Sequence, residues 1–342
     1  MKKNLARKNS LYQRIRNIIE KSRGKVLYAI NTEMVHAYWL IGKEIVEEEQ
    51  RGRKRAEYGK ELIESLAEKL TSEFGSGFIS RNLWYMRNFY LCFPKLNALR
   101  SELTWTHYRL LLKVETPQAR SFYEIECARN HWSTRELERQ INSLLFERLA
   151  LSKDKKGLLQ LAKKGQEIQK AEDIIKDPYV LEFVGLSEGY RLRETDLEDA
   201  LIEHLKDFIL ELGKGFSFVA RQKRITIGDD HFYIDLVFYN RIIKCFVLID
   251  LKVGKLLHQD LGQMQMYVNH YDREMREEGE NPPIGIVLCT DKNEAVVQYT
   301  LPKGEKRIFA SKYKLYLPTK EELIGELKKE RLLLEQNKRM RD

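Results

Sequence analysis

Between Phe232 and Lys252 the chain carries two runs dense in Ile, Val, Leu, Phe and Tyr, Phe232 to Tyr239 and Lys244 to Lys252, and each is interrupted by an acid. Such runs read as strands, and the polar Asn240-Arg241 between them is turn-compatible, so the pair reads as a hairpin whose strands are largely buried. Asp235 stands between Ile234 and Leu236, and Asp250 between Ile249 and Leu251. A carboxylate inside an apolar strand is costly to desolvate unless positive charge compensates it, and a divalent cation does so while bringing chemistry. Period-two geometry sends Asp250 and Lys252 to one face and Leu251 to the other. An acid and a base therefore point into one site.

The register between the two runs decides whether Asp235 and Asp250 can cooperate. A tight two-residue turn at Asn240-Arg241 would set Asp235 opposite Phe246 and leave Asp250 four positions along, about 13 Å away at ~3.3 Å per residue. Direct pairing of Asp235 with Asp250 centres the loop on Ile242-Ile243 instead, and a bulge with strong twist would also close the gap. One of these arrangements is expected, with the two carboxylates close enough to share a cation. Carboxylate oxygens with water suit Mg2+, with Mn2+ as a substitute. The ion would activate a water and neutralise charge on a phosphate, while Lys252 positions or deprotonates that water. An Asp-x-Lys by itself is commonly a surface pair at a strand end, so the weight falls on its surroundings.

Upstream, Asp196 to Leu212 repeats apolar residues at helical spacing, at 197, 201, 202, 205, 208, 209 and 212, and Gly213-Lys214-Gly215 stops that helix. Phe216 to Ile227 reads as a strand, and Gly228-Asp229-Asp230 turns it into the hairpin. Downstream follow a helix from about His258 to Tyr271, a strand Ile284 to Thr290, a short helix Asn293 to Leu301 and a strand Arg307 to Leu317. The order is α-β-β-β-α-β-α-β.

With that order read, the chain from Ile174 to Leu317 resembles the PD-(D/E)XK nuclease superfamily, and within it the YhcG-like bacterial proteins. The phrases KDPYVLEFVGL, LELGKGFSFVARQ, FYIDLVFY, GQMQMY and IGIVLCTDKNEAVVQY carry the resemblance. It implies an αβββαβ core with a mixed central sheet, Asp235 as the second-strand acid, Asp250 and Lys252 as the third-strand pair, and Glu203 as the acid of the preceding helix. Asp235, Asp250 and Glu203 would then be the metal ligands. The Q-x-x-x-Y signature falls on Gln263 and Tyr267, one helical turn apart on one face, and is expected to orient substrate or Lys252. The YhcG-like pattern usually has Glu where this chain has Asp250, one methylene shorter; the wider superfamily uses both. Arg221 and Lys223 on the strand 216–227 are candidates for phosphate contact. His204, His231, His258 and His270 flank the region without metal-ligand spacing, so no zinc site is read.

The net charge is +9, and residues 1–25 hold nine Lys or Arg against one Glu. Such an arm suits a nucleic-acid partner with steeply salt-dependent affinity. DNA is the expected partner and RNA the lesser alternative. Residues 10–150 are helical in pattern, at Leu27 to Val46, Glu61 to Phe74 and Thr134 to Leu149, with Ser133 and Glu136 forming a capping box. Within them Tyr58 to Tyr90 reads as helix, Gly-containing turn and helix. Ser80 would cap the second helix, and Arg81, Asn82, Tyr85 and Arg87 would project toward DNA as in a helix-turn-helix; the alternative is ordinary packing of two amphipathic helices with Leu83, Trp84 and Met86 in the core.

The expected class is α+β: a helical, DNA-binding domain over 1–150, a charged connector over 151–173, and an α/β nuclease domain over 174–342. That domain would end in a helix from Thr319, capped with Glu322, whose leucine-rich face would dock on the nuclease domain or pair with a second chain into a homo-oligomer. Four isolated cysteines give no disulfide framework and suggest a reducing, cytoplasmic setting. No apolar run approaches the ~20 residues that span a bilayer, so no membrane role is expected. The reading is a Mg2+-dependent DNA nuclease, with defence against foreign DNA or recombination and repair implied by the resemblance. The alternative is a non-catalytic DNA-binding or assembly protein that retains the fold.

Overall fold

A computed structural model describes residues 2–51, 58–151, 155–186, 192–302, 304–323 and 325. They group into two compact units, Met1–Glu138 and Arg139–Asp342.

The first unit is helical. Its longest element, Lys2–Arg51, buries Val35, Trp39, Ile45 and Val46, whereas residues 11–30 of the same helix are exposed. Contact with the helix Ser80–Cys92 is close because Gly42 has no side chain: a Cβ there would stand 2.0 Å from the Met86 carbonyl oxygen. Helices Tyr58–Phe74 and Ser80–Cys92 are joined by a short turn through Gly75, whose φ of 91° is the left-handed region glycine favours. Ser80 is the first helical residue and not the cap; Ile79 holds the cap position without a side-chain bond, and Asn82 Nδ2 closes the turn on the Gly77 carbonyl at 3.0 Å. The Ser133–Glu136 capping box is present, at 2.7 and 3.3 Å.

The second unit is built on one six-stranded sheet. Its strands are β1 (Tyr179–Val180), β2 (Phe216–Ile227), β3 (Asp230–Asn240), β4 (Cys245–Lys255), β5 (Ile284–Asp291) and β6 (Ile308–Lys314), in the order β1-β6-β5-β4-β3-β2. Strands β2, β3 and β4 form an antiparallel meander, and β4, β5, β6 and β1 run parallel. The sheet is therefore mixed, as expected. At two residues β1 is too short to leave a periodic trace in the sequence. Leu197, Leu201, Phe208 and Leu212 cover one face over Leu236, Phe238, Val247, Ile249 and Leu251. Leu261, Met264, Tyr267 and Val268 of the helix His258–His270 cover the other, over Val237, Leu248 and Val287. The crossover helix comes close to β5 at Gly285, where a Cβ would meet Met264 Sδ at 2.3 Å.

One expectation is corrected here. The single helix Asp196 to Leu212 is two, Glu194–Glu203 and Leu205–Leu212, separated at His204, whose ring stands edge-on to Phe183. Residues 139–173 group with the second unit. The physical cause is a fully buried acid. Glu211 is paired with Arg148 and, at 3.3 Å, with Arg139; its Oε1 accepts from the Val180 amide at 3.0 Å, and Lys176 bonds its carbonyl. Gln140 adds a bond to the Leu210 carbonyl at 3.3 Å. The Thr319–Glu322 capping box forms at 3.0 and 3.2 Å, while residues 326–342 of the expected C-terminal helix lie outside the described residues.

Candidate active site

The hairpin register brings the two acids level. Leu236 pairs with Ile249 and Asn240 with Cys245, so the loop is Arg241 to Lys244, centred on Ile242-Ile243. The pairing ends at Leu236 and Ile249, and Asp235 and Asp250 are the next residues of the two strands. On the other side, Arg221 pairs with Leu236 and Lys223 with Ile234, which sets Gln222 beside Asp235. A register shift occurs on β2, between Phe218 and Ala220, and not between β3 and β4.

Asp235 Oδ2 accepts from the Leu251 amide at 2.8 Å, and its Oδ1 accepts from Gln222 Nε2 at 3.0 Å. Asp250 is 2% exposed, and Lys252 Nζ lies 3.0 Å from its Oδ2 in an ion pair that lacks hydrogen-bond geometry. Burial, reinforced by the charge of Asp235, pushes the Asp250 carboxyl up to about 7 against the pull of Lys252. Burial draws the Lys252 ammonium down, but Asp250, Glu194 and Asp235 outweigh it and hold its pKa above the ordinary lysine value. Glu194 Oε2 is 3.5 Å from Lys252 Nζ, and its Oε1 accepts from the Val253 amide at 3.3 Å.

The helix acid that reaches this cluster is Glu198. It is 3% exposed, and its oxygens accept from Arg221 Nε at 2.7 Å and Gln222 Nε2 at 2.6 Å. Burial raises its pKa, opposed by those two donors. Glu203, the expected ligand, is exposed. Five residues at ~100° each carry it about 140° around the helix from Glu198, whereas Glu194, one turn back, shares the Glu198 face.

Gln263 and Tyr267 lie on the helix His258–His270, on the sheet face opposite the helix of Glu198. Gln263 donates to the Tyr267 hydroxyl, which donates to the Tyr233 carbonyl at 2.9 Å. The pair thus braces β3 two residues before Asp235. Burial raises the Tyr267 hydroxyl, opposed by Gln263, and the negative charges of Asp250 and Asp235 add to the rise.

Residues 172–328 match the family model of the YhcG PDDEXK nuclease domain, and residues 14–148 match the DUF1016 N-terminal domain. Over 97% of its length the chain is 38% identical to YhcG of Escherichia coli (strain K12), a protein named provisionally as a nuclease, 96% of which is covered. The chain belongs to the YhcG nuclease family. Among solved structures, a repair endonuclease from Pyrococcus abyssi is matched at 21% identity and a TM-score of 0.28 over 39% of this chain, spanning 50% of that one. A complex of EndoMS with double-stranded DNA is matched at 18% identity and 0.26, over 39% and 51%.

As a member of that family, the chain has its remaining expected residues in varied settings. Arg221 is engaged by Glu198 and Asp199, so it steadies the helix acid and is not a free phosphate ligand; Lys223 is exposed. In the helical unit Arg87 forms a two-pronged 2.8 Å contact with Glu49 and stacks on Trp84, and Asn82 closes its turn, so both are structural there. Arg81 and Arg109 flank the Tyr85 ring, 5.8 and 4.7 Å from its centroid, and their hydrogen bonds lower the pKa of its hydroxyl. Arg81, Tyr85 and Arg109 form the cationic, aromatic group of that surface. Sequence reasoning missed Arg109, Glu194, Glu198 and Gln222. For Glu198 the signal was present, since it follows the buried Leu197 and sits one turn from Glu194.

The donor set fits a hard divalent cation held by few protein ligands. Among the described residues no three His, Cys, Asp or Glu side chains gather as a metal cluster. Asp235 and Asp250 are two carboxylates side by side, and Asp250 Oδ2 is a buried acceptor without a hydrogen-bond donor. Mg2+ commonly takes one or two carboxylates and completes its shell with water and phosphate.

Proposed function

We propose that this chain is a divalent-metal-dependent DNA nuclease whose site is Asp235, Asp250, Lys252 and Glu198, with Mg2+ as the resident ion and Mn2+ as its substitute. The observation that carries the reading is that Asp235 and Asp250 follow directly on the Leu236–Ile249 pair of adjacent strands, with Lys252 3.0 Å from the buried acid. Asp235 and Asp250 would hold the ion, which supplies an activated water and neutralises charge on the phosphate.

Lys252 has one role more than the other open to it. With its pKa held up by three acids it is charged at neutral pH, so it stabilises the anionic transition state and positions water rather than taking a proton. Gln222 keeps Asp235 and Glu198 oriented, and Tyr267 with Gln263 fixes the strand beneath Asp235. DNA, with RNA as the weaker option, is supported by the net charge of +9 and by the basic stretch of residues 1–25. The Arg81, Tyr85 and Arg109 surface would contact backbone phosphate, and Lys223 would do so in the nuclease unit. Four free cysteines, three of them buried, agree with a reducing cytoplasm; defence against foreign DNA or recombination and repair follow as settings from the family.

The test is Mg2+- and Mn2+-dependent cleavage of labelled linear, supercoiled, single-stranded and branched DNA and of RNA, beside Asp250→Ala and Lys252→Ala. Loss of cleavage by at least about 100-fold in both variants, with DNA binding retained, is the expected result. Cleavage untouched by the substitutions, or DNA binding without cleavage by the unaltered chain, would favour a non-catalytic DNA-binding protein.

A further inference from the structure

The long N-terminal helix presents an apolar stripe that the helical unit does not cover. Leu11, Tyr12, Ile15, Ile18, Ile19, Val26, Leu27, Tyr28, Ile30 and Met34 are 40–63% exposed. Twenty-four residues of helix carry them over about 36 Å, at ~1.5 Å per residue. A run of this size exceeds the scattered apolar residues of an ordinary surface and marks an interface.

We propose that residues 11–34 pair antiparallel with the same segment of a second copy of this chain, about a centre between Ser22 and Arg23. The spacing of the stripe selects this occupant. Leu11, Ile15, Ile19, Val26, Ile30 and Met34 are separated by 4, 4, 7, 4 and 4 residues, the same from either end. In a twofold pair of antiparallel helices residue i meets residue j and j meets i, so opposed residues have a constant sum. Here the sum 45 matches Leu11 with Met34, Ile15 with Ile30, Ile18 with Leu27, and Ile19 with Val26. Eight of the ten exposed apolar residues thereby meet an apolar residue of the second copy. At the centre, Ser22 meets Arg23 and Lys21 meets Gly24, where a Cβ would have open space around it.

Charge selects the direction. The segment holds five basic residues, Arg14, Arg16, Lys21, Arg23 and Lys25, against the acids Glu20 and Glu33. Parallel pairing in register would set each of the five against its own copy. Antiparallel pairing sets Lys25 level with Glu20 on both sides of the centre and the other four level with Asn31, Ala29, Gly24 and Ser22.

The test is the molar mass of the full chain by sedimentation or light scattering, against a chain mass of 40.6 kDa. Twice that mass is expected, with Ile19→Asp and Val26→Asp each weakening the dimer by at least about tenfold. Those side chains are exposed in the single chain, so its helical content should be unchanged. Orientation is read by oxidising mixed single-cysteine chains: Leu11→Cys should join Met34→Cys and not itself. A monomer at tens of micromolar would overturn the proposal, including one whose stripe is covered by its own C-terminal segment. Preferential joining of Leu11→Cys to itself would overturn it as well.

Discussion

Gln222 donates one amide to Asp235 Oδ1 at 3.0 Å while its backbone holds a φ of 45° in the middle of β2. The same nitrogen reaches Glu198 Oε2 at 2.6 Å. A non-glycine residue in the left-handed region costs on the order of 1–3 kcal/mol and persists where its surroundings over-determine it. Gln222→Gly should therefore leave the melting temperature close to that of the unaltered chain, because lost strain offsets lost hydrogen bonds. Metal-supported cleavage should fall about 10–100-fold, as when a partner of a metal-binding acid is removed. Paired melting and cleavage-rate measurements decide this, and a variant that cleaves at full rate would show that the bridge serves folding alone.

Exchanging the helix acids separates Glu198 from Glu203. Glu198→Gln removes a buried charge beside Asp235 and loosens Arg221, so it should slow cleavage by about 10–100-fold. Glu203→Gln alters an exposed side chain and should stay within about 0.5 kcal/mol in stability and near full activity. The reverse ranking in rate assays would return the metal-site role to Glu203.

Metal binding can be followed without turnover. An ion that binds only the folded state at about 100 times its Kd stabilises by roughly 2.7 kcal/mol. Mg2+ or Mn2+ should raise the melting temperature of the unaltered chain, and the rise should vanish in Asp235→Asn and Asp250→Asn. A full shift in either variant would place the ion elsewhere.

Acid should unfold the second unit through Glu211. Burial raises this carboxyl, but Arg148 first, then Lys176 and Arg139, bring it down to about 2 from an ordinary 4.5. Its folded pKa lies below its unfolded one, so the unfolded chain takes the proton first as pH falls. The stabilisation, on the order of 3 kcal/mol, is complete above about pH 4.5 and is lost toward pH 2. Denaturant unfolding at steps across that window should show the decline, and Arg148→Gln should flatten it while lowering stability at neutral pH by about 3–5 kcal/mol. An unchanged slope in that variant would mean that other acids carry the acid sensitivity.

The sheet and its site were legible to the extent that they rest on local pattern. Strands β2 to β5 follow from β-branched runs, and Asp235, Asp250 and Lys252 from acids and a base that such runs cannot bury cheaply. Pattern could not rank Glu194, Glu198 and Glu203, since all three lie on one acidic helix and only its rotation against the sheet selects two. Gln222 left no trace because a positive φ inside a strand is imposed by its neighbours. Residues 139–173 read as the end of a helical domain and a charged connector because the partner of Arg139 and Arg148, Glu211, is more than sixty residues away in sequence.

The loop from Arg241 to Lys244 acts as a length gauge for the site. Asn240 Oδ1 accepts from the Ile242 and Ile243 amides, Asn281 bonds the Ile243 carbonyl, and Arg241 donates to the Gly215 carbonyl. These bonds fix the loop at four residues, and that count, five positions or about 17 Å from Asp235 along the strand, sets which residue of β4 stands beside it. Deleting one loop residue would carry Leu251 or Ile249 into the place of Asp250 and turn the carboxylate to the other face. In descendants of this chain, insertions and deletions should collect in other surface loops, and this one should keep its length even where its residues drift.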